Sequence, residues 1–198
     1  MPTAADTPAV RLTDVRLERG GRAVLRDIAL SVPRGSVTAV LGPSGSGKST
    51  LLAALTGELV PAAGTVEVFG QPVPRAQRAL LEMRKGVGVL LQGNGLLTDL
   101  TVTENVALPL RTHTTLPDAL VRRLNDTLGL TSIIVTHHVH ETMPVTDHAV
   151  VIANGRIVFR GTPAELQATD DPLVRQFLNG EPDGPIAFDA AARTPEVA

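Results

Sequence analysis

The sequence predicts an α/β fold built on a mostly parallel sheet, with an antiparallel β unit at its N-terminal end. Two runs, Ser36 to Leu41 (SVTAVL) and Gly86 to Leu91 (GVGVLL), are almost continuously apolar and bounded by glycine on one side or both. That pattern marks strands covered on both faces, as in parallel sheets. Val10 to Leu17 instead alternates apolar and polar positions, as Ala23 to Val32 does less strictly, and Arg19-Gly20-Gly21 turns the chain between them. Alternation across a tight turn predicts an antiparallel pair. Hydrophobic residues make up 43% of the 198 residues but aromatics only 2%, so the core is built from Leu, Val, Ile and Ala.

The remaining elements follow in order. A helix is expected from Lys48 to about Leu59, a strand over Gly64 to Phe69, a helix over Arg75 to Arg84 and the buried strand at Gly86 to Leu91. Asn94 to Thr101 reads as loop, Val102 to Leu110 begins a helix, and Ala119 to Leu128 carries a second helical pattern stopped by Gly129. Arg122 and Arg123 read as its solvated face. Thr131 to Val135 is a β-branched run. A helix over Glu141 to Thr146 is kinked or shortened by Pro144. Two short strands within His148 to Phe159 flank Asn154-Gly155, a strong hairpin signal. Helices are expected at Pro163 to Ala168 and Pro172 to Leu178. The predicted organisation is one domain over 1–179 with a flexible tail over 180–198, rich in Pro, Asp, Ala and Gly.

Composition excludes several function classes. A net charge of -2 and no run of Lys or Arg give no electrostatic footprint for nucleic acid. The chain has no cysteine, which removes disulfides, zinc–thiolate sites and thiol catalysis. His137, His138 and His140 lack a second ligand segment and do not read as a metal cluster. With no membrane-length apolar run and no signal-peptide pattern, the chain is expected to be soluble and intracellular.

The strongest motif is Gly42-Pro43-Ser44-Gly45-Ser46-Gly47-Lys48-Ser49-Thr50, which fits G-x-x-x-x-G-K-[ST] between a buried strand and a helix. The glycines let successive N–H groups turn toward phosphate oxygens, and the helix start favours an anion. Lys48 is expected to reach the β- and γ-phosphates and Ser49 to ligate Mg²⁺, with ATP as the nucleotide. Lys48 is one of only two lysines among 18 basic residues, and a slim point charge suits the loop better than a planar fork.

Three later segments extend the case. Gln92 ends the strand GVGVLL, Ile133 to His137 reads IIVTH, and Asn154 to Leu166 reads NGRIVFRGTPAEL. In this order they resemble the P-loop ATPases of ABC transporters, over residues 9 to 179. TDLTVTENVALPL and DPLVRQFLNGEPDGP are most similar to the ATPase subunits of Mla-type phospholipid transporters. The resemblance implies that Gln92 is the glutamine-loop residue and a Mg²⁺ contact, that His137 is the γ-phosphate switch, and that the partners are a membrane permease and a second ATPase subunit. It implies a cytoplasmic protein peripheral on the inner membrane.

The sequence also departs from that family. Hydrolysis there needs an apolar strand ending in Asp-Glu and a Leu-Ser-Gly-Gly signature; none of the 20 acidic residues forms such a pair, and the only Gly-Gly is Gly20-Gly21. The chain runs straight through Asp118 to Leu124 where the family carries several dozen further residues. An internal deletion near 112–124, truncating the helical subdomain and removing a central strand, accounts for this. Leu17 and Arg19 stand where the family usually places an aromatic against adenine, and His138 where it usually has an acid. A small P-loop nucleotide kinase and a non-functional deletion product are the alternatives.

Overall fold

The computed structural model describes residues 7–87, 131–136 and 139–180, without the side chains of His140 and Glu141. The expected elements at Asn94 to Leu128 lie outside these residues, as do Gln92, His137, nearly all of the strand Gly86 to Leu91 and the tail beyond Gly180.

Strands β1 (Val10–Arg19) and β2 (Arg22–Val32) form the expected antiparallel hairpin, registered from Val10 opposite Val32 to Arg19 opposite Arg22. Strand β3 (Val37–Leu41) is buried at every position and leads into the phosphate-loop motif and helix α1 (Lys48–Leu55). The helix is one turn shorter than the sequence pattern predicts. The Glu58 and Leu59 N–H groups both return to the Ala53 carbonyl, at 2.8 and 3.0 Å, and close the helix there. Strand β4 (Ala63–Val68) adds antiparallel to β1, and β5 (Gln71–Pro72), which periodicity cannot detect, adds to β4. The antiparallel sheet is therefore ordered β2-β1-β4-β5. Helix α2 (Gln77–Arg84) packs through Leu80.

Beyond the undescribed stretch, β6 (Ser132–Val135) runs parallel to β3. Helix α3 (Val139–Thr142) passes into a 3₁₀ turn (Met143–Val145), so the helix expected over Glu141 to Thr146 begins two residues earlier and is cut short ahead of Pro144, which cannot donate to an α-helical ladder and occupies the start of the tighter turn. Strand β7 (His148–Ala153) pairs parallel with β3, and β8 (Arg156–Gly161) returns antiparallel. Asn154 and Gly155, both at positive φ (52° and 71°), make the predicted turn. Helices α4 (Pro163–Ala168) and α5 (Pro172–Asn179) close the described chain. The second sheet is ordered β6-β3-β7-β8.

This mixed sheet is covered on both faces. Val40, Val150 and Ile152 face a core shared with α1 and the antiparallel sheet, while Ala39, Leu41, Ala149 and Val151 face Leu166 of α4 and Val174 of α5. Such two-sided burial is what a continuous apolar strand requires. The hairpin β7–β8 also reaches back to β2. The Arg26 N–H donates to the Gly155 carbonyl at 2.8 Å, and Arg156 pairs with Asp27 at 2.9 Å.

Candidate functional site

The loop between β3 and α1 emerges at the C-terminal ends of parallel strands, the usual ligand-binding edge of an α/β sheet. Its shape is fixed from two sides. Gly42 has φ 146°, and a Cβ there would run into the Ile152 carbonyl of β7. Gly47 has φ 104°, and a Cβ would stand 2.6 Å from a Leu25 methyl of β2. No side chain fits at either point, so the loop backbone lies wedged between β7 and β2.

Within the loop, the Ser46 N–H donates to the Pro43 carbonyl at 3.2 Å and the Leu51 N–H to the Gly47 carbonyl at 2.9 Å, which starts α1. No side chain caps this helix and no acidic residue sits in its first turn. The Lys48 ammonium donates to the carbonyls of Gly42 and Pro43 at 2.7 and 2.8 Å. It is thereby folded over the loop, and burial pushes it below the ordinary lysine value. Ser46 is buried with no hydrogen-bond partner for its hydroxyl, while Ser44, Gly45 and Ser49 are exposed. An uncapped helix start, a desolvated ammonium and an unsatisfied buried hydroxyl fit an anionic group with several oxygens.

Two further residues bear on the chemistry. Thr136, buried at the end of β6, donates its N–H to the Val40 carbonyl at 3.2 Å, so the chain leaves β6 level with the loop; His137 follows, outside the described residues. Asp147, the acid nearest an apolar run, lies at the other end of the sheet. Its carboxylate accepts from the Val37 N–H and its own N–H donates to the Val37 carbonyl, each at 2.9 Å. Strand geometry puts it about 13 Å from Leu41 along β3, too far to serve the loop. Among the described residues no group of three His, Asp or Glu could hold a metal ion. Sequence reasoning missed the contact of Arg19, whose Nε donates to the Thr50 hydroxyl at 3.3 Å; the pair is 31 residues apart and carries no local signal.

The family model for the ABC transporter matches residues 25–160. The chain belongs to the ABC transporter ATP-binding family. It is similar to the intermembrane phospholipid transport system ATP-binding protein MlaF of Escherichia coli K12, at 32% identity over 90% of this chain and 91% of that protein. MlaF of Haemophilus influenzae is 31% identical over 90% and 93%. Among solved structures, cbiO1 from Clostridium perfringens, part of the ABC transporter complex cbiONQ, superposes with a TM-score of 0.69 at 21% identity, covering 82% of this chain and 92% of that one. The ATP-binding cassette MJ0796, a dimer bound to ADP and Pi, gives 0.63 at 19%, covering 78% and 98%. These two likenesses concern the fold.

This ABC ATP-binding protein is shorter than its alignments. The alignment with the E. coli protein runs over 246 positions, whereas 90% of 198 residues is about 178, so about 68 positions hold no residue of this chain. Family membership and the hairpin ahead of the loop set it apart from nucleotide kinases. No helix among the described residues is long and apolar enough to cross a membrane.

Proposed function

We propose that this protein is the ATP-binding subunit of an Mla-type phospholipid transporter that holds ATP and Mg²⁺ at Gly42 to Thr50 without hydrolysing it. The observation that carries this is the contrast between a complete loop and the lack, anywhere in the sequence, of an apolar strand ending in Asp-Glu, with Asp147 at the wrong end of β3. Lys48 holds the β- and γ-phosphates, Ser49 and Gln92 ligate Mg²⁺, and His137 meets the γ-phosphate. Bound ATP supplies a ligand that stabilises the closed loop. The alignment's unfilled positions support an internal deletion that removed signature and Asp-Glu strand together. The cargo follows from the likeness to the two MlaF proteins. The partners are a membrane permease, docked through the segment after Gln92, and a second copy of the chain, on the cytoplasmic face of the inner membrane.

Titration of purified protein with MgATP, followed by turnover, tests this. Wild type should bind and melt at higher temperature with MgATP, since a ligand specific to the native state stabilises it. Lys48→Ala should lose that shift, while phosphate release stays at background in both. Turnover that Lys48→Ala abolishes would overturn the claim of lost hydrolysis. A second reading, a deletion product without stable structure, is favoured by the partial exposure of all four β6 residues. A cooperative melt raised by MgATP sinks it.

A further inference from the structure

Arg19 stands in an unfavourable electrostatic position. It ends β1 directly opposite Arg22, and like charges facing across an antiparallel pair repel. Its Nε is tied to the hydroxyl of Thr50, in the first turn of α1, where the helix presents its positive end. Lys48 lies two residues before Thr50 in that same turn, with its ammonium folded onto the Gly42 and Pro43 carbonyls. The tether is weak: 3.3 Å is long for an N–H···O bond, and it uses one of the five guanidinium donors. Thr50 is buried whereas Arg19 is exposed, so the bond anchors the guanidinium beside the phosphate-loop motif while its other donors stay open to a ligand. Its neighbour Glu18 lies on the opposite face of the strand and is taken by Arg16. An exposed arginine that faces a second arginine and touches the phosphate-loop motif at Thr50 is a cation that a multivalent anion would stabilise. The buried, unpaired Ser46 hydroxyl inside the loop points independently to the same partner.

We propose that Arg19 is a second phosphate-binding cation of this site, closing over the triphosphate from the β1 side while Lys48 reaches it from the loop. The inference rests on the nucleotide-site reading above. The free Nη groups supply the planar fork that suits two phosphate oxygens. Thr50 is then a positioning residue that keeps the guanidinium beside the loop.

Competition binding with MgATP, MgGTP and magnesium tripolyphosphate tests it on wild type, Arg19→Ala, Arg19→Lys and Lys48→Ala, with the melting temperature of ligand-free protein as a second readout. Arg19→Ala should weaken all three ligands alike, by about tenfold, as loss of a charge-assisted contact does. Arg19→Lys should recover part of that affinity. Without ligand, Arg19→Ala should melt at the wild-type temperature or above it, because it relieves repulsion. Loss for ATP and GTP with tripolyphosphate unchanged makes Arg19 a base contact and overturns the proposal. A ligand-free melting temperature that falls together with affinity makes it a structural residue and does the same. Unchanged binding in Arg19→Ala beside a loss in Lys48→Ala overturns this inference alone, whereas wild type that binds none of the three overturns the nucleotide site with it.

Discussion

The two flanks of β3 are built differently. On one side β7 is paired on both edges, by β3 and β8, and from Ala149 to Ala153 every residue is buried. Its hairpin is locked onto β2 by Arg26, Gly155 and the Asp27–Arg156 pair. On the other side β6 is four residues long, every residue partly exposed, and among the described residues its only strand partner is β3. The phosphate loop leans on the first flank, because Gly42 meets Ile152 and Gly47 meets Leu25. In the family resemblance, the missing Asp-Glu strand belongs beside the second flank. Under the proposed function, binding and hydrolysis would rest on opposite sides of one strand, so that a deletion could remove one and spare the other.

The comparison is broken most directly at the loop's support. Gly42→Ala should abolish MgATP binding and cost about 3 kcal/mol or more of stability, because a Cβ at φ 146° meets a backbone carbonyl that cannot move without shifting β7. Isothermal titration and denaturant unfolding check it; a variant that still binds would mean that β7 does not shape the loop. The next test sets the flanks against each other on one face of the sheet. Ile152 is fully buried and Ile133 only partly, and both belong to the core shared with α1. Ile152→Ala should cost about 2 to 5 kcal/mol and Ile133→Ala less than half of that, read as the difference in unfolding free energy. Equal costs would mean that β6 is as well supported as β7.

What the sequence made legible was local. The loop Gly42 to Thr50 and the turn Asn154-Gly155 declare themselves because their backbone conformations restrict which residues can stand there. The two-sided burial of β3 shows in VTAVL itself. The attachment of β4 to β1, Val10 opposite Val68, was not legible, since a pairing across nearly 60 residues leaves no trace in either strand's own pattern. The same holds for Arg19 on Thr50 and for Gly42 against Ile152. The end of α1 at Leu55 was missed because apolar periodicity continues to Leu59 while the hydrogen bonds turn back to Ala53. Thr162-Pro163-Ala164-Glu165 was a readable signal that went unread: it is a Thr-x-x-Glu capping box, and both of its reciprocal bonds are present.

That box offers the mildest way to sharpen the contrast, since α4 packs against the β7 flank and α5 follows it. The Glu165 carboxylate accepts from the Thr162 N–H at 2.7 Å and then from its hydroxyl at 3.0 Å, which together hold its pKa below the usual glutamate value. A depressed carboxylate contributes stability above its unfolded pKa and loses it as pH falls through the folded one. Thr162→Ala should therefore lower the melting temperature by about 2 to 4 °C at neutral pH, as loss of an N-cap does in a chain of this size. The gap to wild type should narrow on acidification, once Glu165 is protonated in both proteins. MgATP affinity should stay unchanged throughout, because α4 supports the far face of β7 and not the loop. A gap independent of pH would assign the effect to the Thr162 hydroxyl alone, and a fall in affinity would show that the β7 flank transmits strain to the loop from its far side.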